Sequence, residues 1–286
     1  MHVASYNIRG RTSFGVVAGD GIVDLRPRLA PRYQSVLDLL RADALGEVKS
    51  IVAGVRADFP LAEVEFLPPV PGGEKILCIG VNYANRAAEL TGAGGNEGAK
   101  YPSMFFKPPN ALIGHNQPIL RPPESEQLEY EGEIALIIGK TGRRIAKERA
   151  LDHVAGITMC DEGTIRDWVR HGRFNVTQGK SWEASGSLGP WMTTGVDLTK
   201  PLRITVKING EVTQDDTTDS MIFKFPDILS YVSTFMTLKP GDIIATGTPI
   251  KLNQQPDERK WLKAGDVFEM TVPEIGTLRN AVQDEK

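Results

Sequence analysis

The chain alternates short apolar runs with turn-forming residues, a pattern typical of a protein built mainly from strands. Residues 1–26 contain three apolar runs separated by glycine-containing turns, which predicts a β-hairpin region. An apolar period of helical spacing follows over 35–55, and a proline- and glycine-rich segment then ends near Pro69. We therefore predict a small N-terminal α+β domain over 1–69 and a larger domain over 70–286.

The larger domain contains further strand patterns and few helices. Asn209-Gly210, between two alternating segments, predicts a two-residue hairpin turn. A helix is predicted over FPDILSYVSTFMTL, with Pro226 near its start. Its apolar face is predicted to consist of Ile228, Tyr231, Val232 and Phe235. Because strands and helices do not alternate regularly, the pattern favours a mostly β or mixed α+β fold over a doubly wound or barrel fold.

The segment LEYEGEIALIIG, residues 128–139, predicts a single strand that contains Glu131 and Glu133. Residues two apart on a strand point the same way, so both carboxylates face the side that Ala135 and Ile137 continue. Two like charges beside an apolar surface are costly, and a divalent cation with oxygen ligands removes that cost. The alternative is a rim strand whose glutamates lie in water.

Composition narrows the possible partners. The net charge is −3 and no basic block occurs, so nucleic acid is not an expected partner. No apolar run approaches the ~20 residues of a membrane span, and no signal peptide is recognisable. Cys78 and Cys160 lie in apolar stretches, which indicates reduced, buried thiols and a cytoplasmic protein.

Three further segments combine charge with turn-forming residues: CDEGTIRDW from residue 160, QGKS from residue 178 and ATGTP from residue 245. Together with YEGE, CIGVNYANRAAE and FFKPPNALIGH, they resemble the fumarylacetoacetate hydrolase family over about residues 70–280. The resemblance implies a mixed β-sandwich roll that forms a homodimer. It also implies a divalent metal, Mg²⁺ or Mn²⁺, held by the two strand glutamates and a third carboxylate.

The third ligand follows from the position of an arginine. The family places an acidic residue four positions before this arginine, and counting back from Arg166 gives Glu162, with Asp161 at the preceding position. The implied metal ligands are therefore Glu131, Glu133 and Glu162. Asp161 remains an alternative to Glu162, and both acidic residues can also be explained as charges near a helix N-terminus.

The resemblance also implies roles for other polar side chains. Arg166 and Lys180 would hold a substrate oxyanion and stabilise developing negative charge. The residues alone favour a different explanation, in which they are surface charges or Arg166 pairs with Asp167 or Glu162. Thr248 would receive the substrate carboxylate. The implied substrate-binding residues are Tyr83, Arg86, Gln178 and Thr248.

One departure from the family pattern affects proton transfer. Hydrolases of the family carry NYxxHxxE, and here Arg86 occupies the histidine position while Glu89 is retained. An arginine stays protonated near neutral pH and cannot act as a base, which leaves Glu89 as the candidate proton carrier. His115 or His171 could instead approach the site, and an ordinary structural role is the alternative for each.

These observations predict a metal-dependent enzyme that acts on a small 2-oxo or 2,4-diketo acid in aromatic or sugar acid catabolism. C–C bond hydrolysis of an acylpyruvate is the leading activity. Isomerisation of a 2-hydroxydienedioate and decarboxylation are alternatives, because the absent histidine weakens the case for water activation. A non-catalytic metal- and carboxylate-binding protein is an alternative of another class.

Overall fold

The structure is a computed structural model that describes residues 1–84, 86, 100–252 and 259–286. Most of its regular elements are strands. In chain order these are β1 His2–Ile8, β2 Arg11–Ala18, β3 Gly21–Asp24, β4 Phe59–Pro60, β5 Glu65–Phe66, β6 Ile76–Ile79, β7 Met104–Phe106, β8 Leu112–Ile113, β9 Ile119–Arg121, β10 Leu128–Glu129, β11 Gly132–Ile138, β12 Val154–Asp161, β13 Thr164–Ile165, β14 Gly186–Thr193, β15 Arg203–Ile208, β16 Glu211–Thr217, β17 Ile243–Ala245, β18 Val267–Val272 and β19 Gly276–Asp284.

The helices are short, apart from one of 11 residues. In the described ranges they are α1 Arg26–Leu29, α2 Val36–Arg41, α3 Leu45–Val52, α4 Thr177–Lys180 and α5 Phe225–Phe235. Short 3-10 helices cover Leu61–Glu63, Pro109–Ala111, Lys147–His153, Arg166–Trp168 and Thr218–Ser220. None of the helices described has the length and apolar character needed to cross a membrane.

The described strands form two large sheets and one short pair. The larger sheet has 12 strands in the order β4-β3-β2-β1-β14-β12-β11-β17-β6-β7, with β5 beside β1 and β8 beside β14. The second sheet has the order β16-β15-β18-β19-β9, and β10 pairs with β13. Strands therefore dominate and helices only flank them, which confirms the predicted mostly β, α+β fold.

The N-terminal strands belong to the larger sheet. Strand β1 pairs with β14 through His2↔Thr193 and Val3↔Met192. One apolar cluster also joins Leu39 of α2 to Ile137 of β11. The division into domains at residue 69 stays a prediction.

Strand β11 is buried on both faces because the two apolar clusters lie on opposite sides of it. Ile134, Leu136 and Ile138 contribute to the cluster that contains α5 and much of the second sheet. Ala135 and Ile137 contribute to the cluster on the side of α2. This alternation is the one predicted for the strand.

The predicted hairpin turn is present between β15 and β16. Asn209 and Gly210 have φ values of 53° and 84°, and Ile208 pairs with Glu211 across the turn. Positive φ at both central positions is the requirement of the type I′ turn that an Asn-Gly pair favours.

Two predictions of element extent and one of a buried helix face were wrong. The helical pattern over 35–55 forms two helices, because Asp43 adopts a φ of 53° between α2 and α3. The strand predicted over 128–139 is divided into β10 and β11, which pair with different partners. Phe235 is 50% exposed at the last position of α5, where its ring packs on Tyr231 at 5.7 Å instead of in the core.

Candidate metal and substrate site

The break between β10 and β11 brings three glutamates together. The Glu131 N–H donates to Asp161 Oδ1 at 2.8 Å, and the Glu162 N–H donates to the Glu131 carbonyl oxygen at 2.9 Å. Glu133 lies opposite Cys160 in the β11–β12 register. As a result, Glu131, Glu133 and Glu162 each offer a carboxylate oxygen within 4.8 Å of the others, and all three side chains are buried.

Asp161 faces the backbone and is not a member of this group. Its Oδ1 accepts hydrogen bonds from the N–H groups of Glu131 and Gly163, at 2.8 and 3.4 Å. Burial raises the pKa of Asp161 to about 6. Asp161 therefore stabilises the turn that carries Glu162, and the choice of Glu162 as a ligand stays a prediction.

The three carboxylates differ in their protonation preferences. Burial, together with the charges of Glu162 and Glu131, raises the pKa of Glu133 well above its ordinary value. Burial also raises the pKa of Glu162 to about 7. Burial would raise the pKa of Glu131 as well, but Lys180 and Arg166 hold it well below the usual range. The crowded oxygens suit a hard divalent cation, which would allow all three groups to ionise.

Two buried lysines contact this group. Lys180 Nζ donates to Glu131 Oε2 and to Thr164 Oγ1, both at 2.6 Å, and also pairs with Glu162. Burial lowers the pKa of Lys180, but the carboxylates of Glu131 and Glu162 more than offset that effect and raise it. The structure thus places Lys180, a predicted residue, against two of the three carboxylates.

Lys107 was missed by sequence reasoning. Its Nζ donates to Glu162 Oε1 at 2.7 Å, to the Gly163 carbonyl oxygen at 2.9 Å and to the Lys180 carbonyl oxygen at 2.7 Å. A single lysine in the otherwise apolar segment MFFKPP was the available signal. Lys107 fixes the Glu162 turn to the segment that carries Lys180.

Glu129 was also missed, although it lies at the centre of a buried charge cluster. Arg86 Nη2 lies 2.7 Å from Glu129 Oε1 and 3.1 Å from Glu131 Oε1. Arg166 pairs with the same two glutamates, and Lys251 pairs with Glu129. Burial would raise the pKa of Glu129, but the charges of Lys251, Arg86 and Arg166 hold it below its ordinary value.

A cavity of about 440 Å³ opens onto these groups, within the range typical of small-molecule sites. Its charged and polar wall includes Arg86, Glu131, Glu133, Glu162, Arg166, Lys180 and Thr248. Its apolar wall includes Ile79, Val81, Met104, Phe105, Val169, Phe174 and Val176. Thr248 Oγ1 accepts a hydrogen bond from Gln214 Nε2 at 2.9 Å. The cavity therefore joins a strongly charged end to an apolar surface.

Other predicted residues lie elsewhere. Tyr83 is buried and forms a β-bridge with Met221, without lining the cavity as described. Gln178 is exposed and does not line it either; its carbonyl oxygen accepts a hydrogen bond from Trp182 Nε1. Glu89 lies outside the described residues.

No histidine lines the cavity, and all four histidines of the chain are in described ranges. The ring of His171 packs against Trp168 with centroids 4.2 Å apart. His115 Nδ1 accepts a hydrogen bond from the Arg279 N–H at 3.0 Å. The structure thus gives no support to the idea that either histidine replaces the base missing at position 86.

Comparison with known proteins identifies the family. Residues 75–283 match the family model described as fumarylacetoacetate (FAA) hydrolase C-terminal. The protein belongs to the fumarylacetoacetate hydrolase family. It is an enzyme of this family, whose members include both hydrolases and isomerases or tautomerases. The resemblance described from the sequence motifs is confirmed.

Within the fumarylacetoacetate hydrolase family, three similar proteins are informative. Oxaloacetate tautomerase FAHD2A, mitochondrial, of Bos taurus is 35% identical over 271 residues, which cover 92% of this chain and 84% of the relative. Oxaloacetate tautomerase YisK of Bacillus subtilis is 38% identical over 231 residues, or 78% and 75% of the two chains. The crystal structure of maleylpyruvate hydrolase from Sphingobium sp. SYK-6, in complex with manganese(II) ion and pyruvate, is 27% identical with a TM-score of 0.80, and the alignment covers all of both chains.

Proposed function

We propose that this protein is a divalent-metal-dependent tautomerase that interconverts the keto and enol forms of a 2-oxo acid of the oxaloacetate type. The observation that most directly supports this proposal is a cavity that is lined by three buried glutamates and by no histidine. Tautomerisation needs a proton to be moved between carbon and oxygen, and it consumes no water. Two oxaloacetate tautomerases among the relatives support the same reaction class.

Glu131, Glu133 and Glu162 would hold the metal ion, and Mg²⁺ or Mn²⁺ suits a set of carboxylate oxygens. When bound, such an ion would polarise the carbonyl group of a 2-oxo acid. The manganese(II) ion in the maleylpyruvate hydrolase structure supports a divalent metal. The identity of the metal ion in this protein stays a prediction. The homodimeric state and the cytoplasmic location of the protein also stay predictions.

The cationic groups of the chain would bind the acid and its enolate. Lys180 and Arg166 both line the cavity, and each is already held in place by Glu131. Fixed cations of this kind stabilise negative charge as it develops on a substrate oxygen without having to reorganise. Thr248, also on the wall, is the proposed hydrogen-bond donor to the substrate carboxylate.

Arg86 has a different role from the histidine that it replaces. Its guanidinium contacts both Glu129 and Glu131, and it remains protonated. Arg86 therefore orients the Glu131 carboxylate and does not accept a proton. Glu89 stays the proposed proton carrier on the sequence argument alone.

Hydrolysis of an acylpyruvate-type substrate is the second candidate function. The alignment with maleylpyruvate hydrolase over the full length of both chains favours it. Hydrolysis would require an additional group to activate water, since no histidine lines the cavity. This requirement places hydrolysis behind tautomerisation.

The test compares the two reactions on the same metal-loaded protein. Loss of the enol absorbance of oxaloacetate reports tautomerisation, and release of pyruvate from an acylpyruvate reports hydrolysis. We expect metal-dependent acceleration of the first, and a loss of more than about a hundredfold in Glu162→Gln, beyond what outer-shell changes at metal sites usually cause.

Asp215→Asn provides the matched control, because Asp215 forms an exposed pair with Arg203. Activity in the hydrolysis assay alone would establish the second candidate. Activity in neither assay, with Mn²⁺ still bound, would overturn both candidate functions.

A further inference from the structure

Arg170 differs from the other cations on the cavity wall. Arg86, Arg166 and Lys180 each pair with glutamates of the site. Arg170 is exposed and forms no ion pair with any residue of the part of the chain that the structure describes. Arg259, the remaining arginine of the wall, has an interaction partner.

The cations of the buried end already contact glutamates of the chain. Glu129 and Glu131 contact Arg86 and Arg166, and Glu162 contacts Lys180. A single substrate carboxylate can be bound at that end through the proposed metal and Thr248. A second carboxylate on the same substrate would require another cation, and Arg170 is placed to supply it.

The surface beside Arg170 is mostly apolar. Val169, Phe174 and Val176, from the same segment, contribute to the cavity wall, and Phe174 is 90% exposed. Asn175 of the same segment also lines the cavity but carries no charge, so the Arg170 guanidinium is the cation of this segment that can recognise a carboxylate. A guanidinium also presents two parallel N–H donors, which match a carboxylate.

We propose that Arg170 binds the second carboxylate of the substrate and thereby selects dicarboxylic over monocarboxylic 2-oxo acids. This inference rests on the proposed function, because it assigns a substrate class to the same site. Arg170 would act in binding and specificity, while the proton transfer itself is left to other groups.

The experiment compares oxaloacetate with 2-oxobutanoate, which lacks the second carboxylate. Exchange of the C3 hydrogens in D₂O, followed by NMR with Mg²⁺ present, measures enolisation of both acids. In Arg170→Gln, we expect KM for oxaloacetate to rise about tenfold, the effect of losing one charge-assisted hydrogen-bond pair. In the same variant, the kcat for oxaloacetate and the kcat/KM for 2-oxobutanoate should stay within about twofold of the wild-type values.

Two variants complete the set. Arg170→Lys should retain part of the preference for oxaloacetate, because it keeps the charge but loses the fork of donors. Arg173→Gln is the matched control: Arg173 lies on the same loop, over the Phe174 ring at 5.3 Å, and does not line the cavity. It should leave both acids unaffected.

The outcomes separate the two proposals. Equal losses for both acids in Arg170→Gln, or no loss for either, would overturn the role of Arg170. If the wild-type protein enolises neither acid, the proposed function fails. Calorimetric binding of the two acids to the Mn²⁺-loaded protein then tests Arg170 independently, with weaker binding of oxaloacetate alone expected in Arg170→Gln.

Discussion

Arg86 Nη2 lies 2.7 Å from Glu129 Oε1, and neither side chain is more than 2% exposed. Arg166 and Lys251 pair with the same glutamate, so one carboxylate contacts three cationic groups. Removing one partner from a buried ion pair is strongly destabilising because it leaves charge uncompensated in a poorly solvated place. Glu129 is therefore expected to carry a large share of the stability of this region.

The first prediction concerns Glu129→Gln. We expect the free energy of unfolding to fall by about 3–5 kcal/mol, as measured by urea denaturation. Asp215→Asn breaks the exposed pair with Arg203 and should cost less than about 1 kcal/mol. Equal stability of Glu129→Gln and the wild-type protein would show that the cluster does not depend on this carboxylate.

The second prediction separates the two adjacent acidic residues of the β12–β13 turn. Glu162→Gln should weaken Mn²⁺ binding by more than about a hundredfold, because one of three carboxylate ligands is lost. Asp161→Asn should change it by less than about tenfold, since an amide oxygen can still accept the bonds from Glu131 and Gly163. Titration with Mn²⁺, followed by electron paramagnetic resonance, measures both. The reverse order of effects would make Asp161 the ligand.

The third prediction concerns Gly163, which follows Glu162 with a φ of 39°. A Cβ at this position would lie 1.9 Å from the Ser185 carbonyl oxygen, so Gly163→Ala requires the backbone to move. We expect a loss of more than about 3 kcal/mol in stability and weaker Mn²⁺ binding. Gly10→Ala is the control, since Gly10 has a φ of 75° but nothing within 4 Å of its Cβ position, and it should cost about 1–2 kcal/mol. Similar losses in both variants would exclude the steric effect.

The fourth prediction concerns pH. Burial, with a smaller effect of Arg279, lowers the pKa of His115 to about 4. Between its ordinary pKa of 6.5 and pH 4 the unfolded chain binds a proton that the folded chain does not, so stability falls as the pH falls through this window. Protonation would also break the bond that Nδ1 accepts from the Arg279 N–H.

Urea denaturation at pH 7 and pH 4.5 tests this dependence. The stability lost on acidification should be up to about 2 kcal/mol smaller in His115→Gln than in the wild-type protein. His171→Gln, at an exposed position, is the control and should follow the wild type. A His115→Gln profile parallel to that of the wild type would contradict the prediction.

Short-range signals predicted much of the fold. The Asn209-Gly210 turn and the alternation of β11 depend on local geometry, and both are present. The break at Tyr130 was not predictable in this way. It depends on β10 and β11 having different partners: Glu129 pairs with Thr164 of β13, whereas Gly132 pairs with Asp161 of β12.

Residues of the site were missed for the same reason, because their partners are distant in the sequence. Glu131, Glu133 and Glu162 were proposed through motif order, and they do lie together. Lys107 lies within FFKPPNALIGH and Glu129 directly before YEGE, but neither was singled out, because the importance of Glu129 and Lys107 comes from partners 43 and 55 residues away. Gln178 belongs to the QGKS motif, yet it does not line the cavity, whereas Lys180, two residues later, does. Membership of a motif therefore did not settle which side chains reach the cavity.

The pairing of β1 with β14 has a consequence for truncated forms of the protein. Strand β1 pairs with the C-terminal end of β14, through His2↔Thr193 and Val3↔Met192. A chain that lacked its first strands would expose main-chain N–H and C=O groups of β14 in this region, and exposed edges of this kind add strands from other molecules. By pairing with β14, the N-terminal segment thus also disfavours self-association through this edge of the sheet.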